Sequence, residues 1–242
     1  MHMSVNMANR EVCNAIFRDY ATKKPVLYVD YANTTTTEIT GENTPAYGGW
    51  GHPKRIIFSG EKGGTIAFEF QVAPFQLYAL MSGAEIKKEA KYAVREVVKC
   101  TEDGKLTIKT EATAVNVFAV ADDCGTDLGA TVAGTEVALA SAKVDEEYVV
   151  YYEKAVAGDT VQCLHIDTKT FPKALTVDAD TIYKTEDEDE IPMILRVYKC
   201  QPQPQFTLTH ANSGDPGTVT LTCDLMADEN DNFIDLIAID ED

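Results

Sequence analysis

Hydrophobic and polar residues alternate with a period of two in many short stretches of this chain. Successive side chains of a β-strand point to opposite faces, so this period is typical of a strand with one buried face. In the clearest stretch, Ile66, Phe68 and Phe70 alternate with smaller or polar residues. The pattern predicts a mainly β protein.

Residues 55–83 predict a β-hairpin followed by a short helix. The apolar residues 56–58 lead into SGEKGG at 59–64, whose glycines favour a tight turn before the alternating stretch returns. Pro74 favours the first turn of a helix, and Gly83 is expected to end it. A hairpin covered by one short helix is therefore the predicted local unit.

Further strand-like stretches are separated by turn-forming residues at intervals of about ten residues. They lie at 12–17, 26–32, 92–100, 105–109, 114–121, 137–140, 148–153, 161–166, 174–177, 193–198, 206–208 and 219–225. This spacing favours an antiparallel β-sandwich or partial barrel, flanked by the short helix, over a βαβ fold. The last two stretches are predicted to pair as a hairpin across a turn at 212–217.

The chain has 242 residues, a length that a single all-β domain can reach. No linker-like segment interrupts it. We therefore predict one domain over residues 1–242, with 103–185 as a candidate elaboration or insertion.

Residues 33–53 predict a long loop, because a run of threonines at 34–37 is followed by glycines and prolines. Tyr47 and Trp50 place large apolar side chains among the glycines, which is typical of a segment that becomes ordered against a partner. A flexible surface loop is the alternative. We favour an assembly loop that includes Thr36, Tyr47 and Trp50.

The formal net charge of −18 argues against a general nucleic-acid binder, because such proteins gain affinity by neutralising phosphates. An acidic surface instead suits a protein that DNA must pass without binding. The six cysteines lack the paired spacings of metal or redox motifs, and they are predicted to be free thiols in a reducing compartment. No stretch reaches the length of a transmembrane helix, so no membrane association is expected.

Motifs for catalysis or metal binding are not found in the sequence. Residues 228–232 begin like a calcium loop, but Phe233 stands where such a loop needs glycine. The acidic run at 186–190 is typical of a solvated loop. The sequence therefore predicts no enzyme activity, no cofactor and no metal site.

Several of these features together resemble the tail tube, or major tail, proteins of tailed bacteriophages. They are the Thr-rich and Gly-rich segment at 34–51, the hairpin and helix at 55–83, and the closing FTLTHANSGDPGTVTLTCDLMAD with FIDLIAID. The resemblance implies a sandwich or partial barrel that assembles into homohexameric rings. These rings would stack into a tube, with a long loop reaching the neighbouring ring.

The resemblance also implies partners and a location. The protein would be part of the virion tail, assembled in the host cytoplasm. A tape measure protein would fill the tube, a sheath or a tail terminator would be a further partner, and genomic DNA would pass through without specific binding.

In a closed ring one polar sheet face must point to the lumen. Glu69 on the alternating strand, Asp224 on the closing strand and Glu38 near the loop are the candidates for this face. Two other classes of function stay open. A monomeric β-sandwich adhesion or capsid-decoration module would differ in oligomeric state, and a carbohydrate hydrolase is disfavoured because one tryptophan offers little surface for sugar stacking.

Overall fold

The computed structural model describes residues 6–212, 214 and 216–239. Strands account for 57% of the structure and helix for 5%, with antiparallel sheets and one short helix in the described residues. The predicted mainly β fold with a short flanking helix is confirmed.

The strands are numbered in chain order. The first eight are β1 (Met7–Asn9), β2 (Asn14–Asp19), β3 (Pro25–Val29), β4 (Ala32–Tyr47), β5 (Lys54–Phe70), β6 (Ile86–Lys87), β7 (Glu89–Lys99) and β8 (Lys105–Ala112). The others are β9 (Val115–Ala119), β10 (Thr131–Ala138), β11 (Glu147–Ala157), β12 (Cys163–Leu164), β13 (Leu175–Thr185), β14 (Glu190–Pro202), β15 (Val219–Met226) and β16 (Ile234–Ala238). The helix α1 covers Phe75–Ser82, and a 3₁₀ turn covers Val120–Asp122.

The chain divides into two compact units. Unit 1 consists of Met1–Ile86 and Leu164–Asp242, and unit 2 consists of Lys87–Cys163. Whether the chain acts as one domain, with 103–185 as an insertion, stays a prediction.

Within the described residues, unit 1 contains a nine-stranded sheet in the order β3-β2-β13-β14-β15-β5-β4, with β1 pairing with β13 and β16 with β14. Alternate residues of these strands are buried in one core. Phe17 on β2 and Phe68 on β5 have ring centroids 5.3 Å apart. Three strands separate β2 from β5, so a flat sheet would hold them about 19 Å apart. The sheet therefore curls around its core as a partial barrel.

Helix α1 packs Leu77, Leu80 and Met81 into this core. Pro74 is the residue just before the helix, and Gly83 ends it with a left-handed φ of 72°. A Cβ atom at Gly83 would also collide with the backbone carbonyl of Phe171. Both the conformation and the close approach require glycine at this position.

The predicted positions of the first turn and of the loop are wrong. SGEKGG lies inside the continuous strand β5, and 33–47 belong to β4, which pairs with β5 from Ala32 opposite Phe70 to Tyr47 opposite Lys54. The chain reverses at 48–53 instead. The β-branched threonines favour a strand, and Gly64 lets the strands approach closely, because a Cβ there would collide with the carbonyl oxygen of Glu38.

The predicted hairpin between 206–208 and 219–225 is not formed. Strand β15 pairs with the end of β14 on one side and with β5 on the other. Strand β14 stops at Pro202, and Pro204 also lacks an N–H group, so the ladder does not continue into 206–208. Ser213 and Asp215, in the predicted turn at 212–217, lie outside the described residues.

Unit 2 contains a three-stranded sheet, β7-β11-β9, and a two-stranded sheet, β10-β8, with a core of its own. The buried Glu96 on β7 links the two sheets. Its carboxylate accepts hydrogen bonds from the Tyr152 hydroxyl on β11 at 2.9 Å and from the Lys109 backbone N–H on β8 at 3.2 Å. A buried polar group in this unit is thus satisfied across the sandwich.

Candidate assembly site

A two-stranded arm, residues 39–64, extends beyond the sheet of unit 1. Strand β5 pairs with β15 only from Thr65 to Phe70. Beyond Thr65, β4 and β5 pair only with each other among the described residues. At the usual rise per strand residue, the arm extends about 26 Å from Ile39 to Tyr47.

The tip of the arm is a turn that presents Trp50. Gly49 and Gly51 on either side have left-handed φ values of 85° and 84°. The His52 backbone N–H donates to the Gly49 carbonyl at 3.2 Å, and Arg55 Nε donates to the Gly48 carbonyl at 3.3 Å. Trp50 is fully exposed to solvent.

The arm carries other large apolar side chains that are more than half exposed: Ile39, Tyr47, Ile56, Ile57 and Phe58. Since neighbours along a strand point to opposite faces, both faces of the arm are apolar. A two-stranded ribbon is marginally stable by itself, and contiguous exposed apolar surface marks an interaction site. The arm therefore has the properties of a segment that packs against another surface.

A polar face covers the β4, β5 and β15 part of the sheet. Thr65 on β5 is paired with Glu38 on one side and with Asp224 on the other. Directly paired residues of antiparallel strands share a face, so Glu38 and Asp224 flank Thr65. Four residues further along β5, Glu69 lies on the same face, because side chains at even spacings along a strand share a face.

We call this surface the acidic face. It comprises nine positions in three rows: Glu38, Thr65 and Asp224; Thr36, Ala67 and Thr222; Thr34, Glu69 and Thr220. No lysine or arginine is among them. Gln203 donates from Nε2 to Asp224 Oδ1 at 2.8 Å.

The structure thus brings together the three residues predicted to face a lumen, and it divides the predicted assembly group. Thr36 lies on the acidic face, whereas Tyr47 and Trp50 lie at the far end of the arm. Tyr47 is in a strand, and Trp50 is in the turn. The roles of all six residues stay predictions.

The candidate assembly loop predicted from the sequence does not include residues 56–58, which the structure exposes on the arm. The sequence predicts that their continuous apolar run forms the first strand of a hairpin, before a turn at 59–64. The neighbouring proline and glycines at 48–53 are a second turn signal, and pairing across this turn places residues 56–58 on the arm.

The titratable groups of unit 2 include one strongly shifted side chain, Tyr151. Hydrogen bonds with Cys124 and then with Asp123, where the hydroxyl donates to Oδ1 at 2.9 Å, raise the pKa of Tyr151 to about 12. Asp123 also accepts from Arg95 Nε at 2.9 Å and Nη2 at 2.8 Å. At neutral pH the Tyr151 hydroxyl stays protonated, so this cluster holds neighbouring strands and a turn together rather than supplying a base.

The described residues form neither a metal-binding cluster nor a membrane-spanning helix. In the part of the chain that the structure describes, no three or more His, Cys, Asp or Glu side chains are grouped to hold a metal ion. Among the described residues, no helix has the length and apolarity needed to cross a membrane.

The described residues thus define a mainly β protein, whose curled antiparallel sheet carries a projecting apolar arm. The model of the YomU/Tube protein family matches residues 10–239, and the chain therefore belongs to the YomU/Tube protein family. No curated protein matches the chain.

The family is consistent with phage tail tube proteins, so the resemblance seen in the sequence is confirmed. Its name indicates a tube-like structural protein and a component of the virion tail.

Proposed function

We propose that this chain is the subunit of a phage tail tube. It assembles into homohexameric rings that stack, and the lumen of the stack conducts the genome during ejection. The observation that supports this proposal most strongly is the arm, which exposes Trp50 and five further large apolar side chains on an otherwise unsupported ribbon.

Burial of the arm supplies the driving force for assembly. Burying one large apolar side chain stabilises a complex by about 1.5–3 kcal/mol. The arm is already paired as a hairpin, so less conformational entropy is lost on docking than a flexible loop would lose. An arm that contacts the next ring is therefore pre-organised for stacking.

In this proposal the acidic face lines the lumen of the tube. If it points inward, every subunit contributes Glu38, Glu69 and Asp224 to the wall of the channel. DNA in the channel is repelled from all sides, which prevents it from binding in transit. A tape measure protein occupies the same channel before ejection, and a sheath or tail terminator contacts the assembled tube.

Negative-stain microscopy of the full chain over a concentration series tests this proposal. We expect sixfold rings and stacked tubes for the wild type. Trp50→Ala should need a higher concentration to assemble, with an unchanged thermal unfolding midpoint. Val72→Ala, which also truncates an exposed apolar side chain but lies outside the arm, is the control. A chain that stays monomeric at every concentration and salt would favour the adhesion or capsid-decoration alternative.

A further inference from the structure

A groove of about 590 Å³ lies in unit 1 beside the base of the arm. Its walls come from residues 9–13, the first part of β4, and strands β13, β14 and β16. Met193 and Leu195 of β14 are buried there, whereas Leu236 of β16 is 68% exposed. The groove is open to solvent, and its wall combines an apolar part around Leu236 with polar residues from 9–11 and the threonines of β4.

The groove is a continuation of the core face of the sheet. Leu236 is directly paired with Leu195, so both side chains point to the face that is buried elsewhere in unit 1. Ile39, at the base of the arm, follows Thr35 and Thr37 with a period of two on the core-facing side of β4. Nothing in the described residues covers Leu236 and Ile39 at this end of the sheet.

The tip of the arm and the surroundings of the groove carry opposite charge. Residues 47–55 of the tip include His52, Lys54 and Arg55 and no carboxylate, in a chain whose net charge is −18. Five consecutive acidic residues, 186–190, form the turn between β13 and β14 and the first position of β14.

This acidic turn lies next to the groove. It begins three residues beyond Tyr183, which lines the groove. The charged residues of the wall itself are Arg10 and Glu11, and Lys184 is paired with Glu190. Acidic residues thus outnumber basic residues around the groove.

We propose that the arm tip of one copy docks in this groove of a second copy, an inference that rests on the tube function proposed above. Trp50 packs against Leu236 and Met193, and Lys54 and Arg55 lie towards the acidic turn. Trp50 and Leu236 are highly exposed apolar side chains, and docking removes both from water. The basic tip and acidic turn orient the arm in the groove.

This contact is head-to-tail, because the tip and the groove are different surfaces of the same chain, about 26 Å apart along the arm. Each copy offers one tip and one groove. A heterologous contact of this kind that does not close on itself produces an open-ended polymer. Docking of tip into groove thus explains how rings stack without a fixed limit.

Leu236→Arg tests the groove in the full chain. The new side chain fills the groove and repels the basic tip, while the exposed position spares the fold. We expect assembly to require about thirtyfold more protein, the effect of losing a central interface contact. Val72→Arg, at a position that is 66% exposed outside the groove, is the matched control and should assemble as the wild type does.

Mixing two variants tests the pairing itself. Trp50→Ala keeps an intact groove, and Leu236→Arg keeps an intact tip. Purified separately, neither should stack at wild-type concentrations. Mixed in equal amounts, they should form species with twice the mass of either variant alone, and these species should grow no further. Analytical ultracentrifugation measures the masses.

The outcomes distinguish this inference from the tube function. If Trp50→Ala blocks stacking while Leu236→Arg stacks normally, the arm docks elsewhere and only the groove inference is overturned. If Val72→Arg blocks stacking as strongly as Leu236→Arg, the effect is not specific to the groove and the inference is also overturned. If both Trp50→Ala and Leu236→Arg assemble as the wild type does, the role of the arm in the proposed function is overturned as well.

Discussion

The ring of Phe17 meets the ring of Phe68 edge to face, with centroids 5.3 Å apart and planes at 70°. The contact joins β2 near one end of the nine-stranded sheet to β5 near the other. Both side chains are fully buried. This aromatic pair therefore closes the curled sheet, and the adjoining part of β5 continues outward as the arm.

Strand β5 offers a matched pair of phenylalanines to separate folding from assembly. Phe68 is fully buried, whereas Phe58 on the arm is 59% exposed. Phe68→Ala should lower the free energy of unfolding by about 3–5 kcal/mol, because it leaves a cavity in the core. Phe58→Ala should change the free energy of unfolding by less than about 0.5 kcal/mol, yet raise the concentration needed for assembly.

Urea unfolding of the two variants, beside microscopy, checks this separation. A large loss of stability in Phe58→Ala would show that the arm packs against its own chain. A wild-type stability for Phe68→Ala would contradict the closure of the sheet.

The strands could be predicted from the sequence because their pattern is local. Ile66, Phe68 and Phe70 alternate with smaller or polar residues, and the structure buries all three. The positions of turns could not be predicted equally well. Gly63 and Gly64 have the composition of a turn, but they lie opposite Thr40 and Ile39 in a continuous ladder. Pairing between distant strands decides which glycines become the turn.

The candidate assembly site, too, could be predicted from the sequence only in part. The alternation of side chains along each strand does not by itself place Glu38, Glu69 and Asp224 on one face. The register between the three strands is also needed, and the pairing of Thr65 with both Glu38 and Asp224 provides it. The groove could not be predicted at all. Its walls come from five separate parts of the chain. The sequence around Leu236 also has the ordinary pattern of a strand, with no sign that this side chain is exposed.

The buried Glu96 should make stability depend on pH. Burial raises the pKa of its carboxyl, but hydrogen bonds from the Lys109 N–H and the Tyr152 hydroxyl, with the nearby Lys109 ammonium group, together hold the pKa below the ordinary value of 4.5. A group whose pKa is lower in the folded state than in the unfolded state stabilises the fold at pH values above the unfolded-state pKa. This contribution is lost as the pH falls through the folded-state pKa.

Glu96→Gln should therefore be less stable than the wild type at pH 7 by about 1–3 kcal/mol. The difference should shrink as the pH falls below about 4.5, the ordinary glutamate value. Denaturant unfolding at several pH values measures it, with Glu153→Gln at an exposed position of β11 as control. A difference that is constant with pH would show that the Glu96 charge is not responsible.

The six cysteines, all free thiols in the structure, should differ in their reaction with an alkylating reagent. Cys124 is exposed and should react first. The buried group, Cys100, Cys200 and Cys223, should react slowly in the native protein. A hydrogen bond with Cys200 and then burial raise the pKa of the Cys223 thiol, which lowers the fraction of reactive thiolate.

Intact mass after timed labelling measures these rates, and Cys124→Ser should remove the fastest step. In denaturant without reductant all six thiols should be labelled. A protein with two unlabelled cysteines would contain a disulfide, contrary to the prediction from the sequence.

The sign of charge on the acidic face should control the passage of DNA. The triple variant Glu38→Lys, Glu69→Lys and Asp224→Lys should still form tubes, because these side chains lie away from the tip of the arm and from the core. If the acidic face lines the lumen, the variant wall attracts phosphates, and ejection of the genome should slow. The slowing should diminish as salt rises, because the Debye length falls from about 8 Å at physiological ionic strength to about 3 Å at 1 M.

A second triple variant separates the acidic face from net charge. Glu111→Lys, Glu136→Lys and Glu153→Lys make the same change in net charge at exposed positions of unit 2, and they should leave the rate of ejection unchanged. The rate is measured on phage particles that carry each variant, and a structure of the assembled tube shows which face is inside. Equal slowing by both variants would assign the effect to overall charge. A neutral or positive lumen would eliminate repulsion as the reason that DNA slides. The proposal that the chain forms a tube would not be affected.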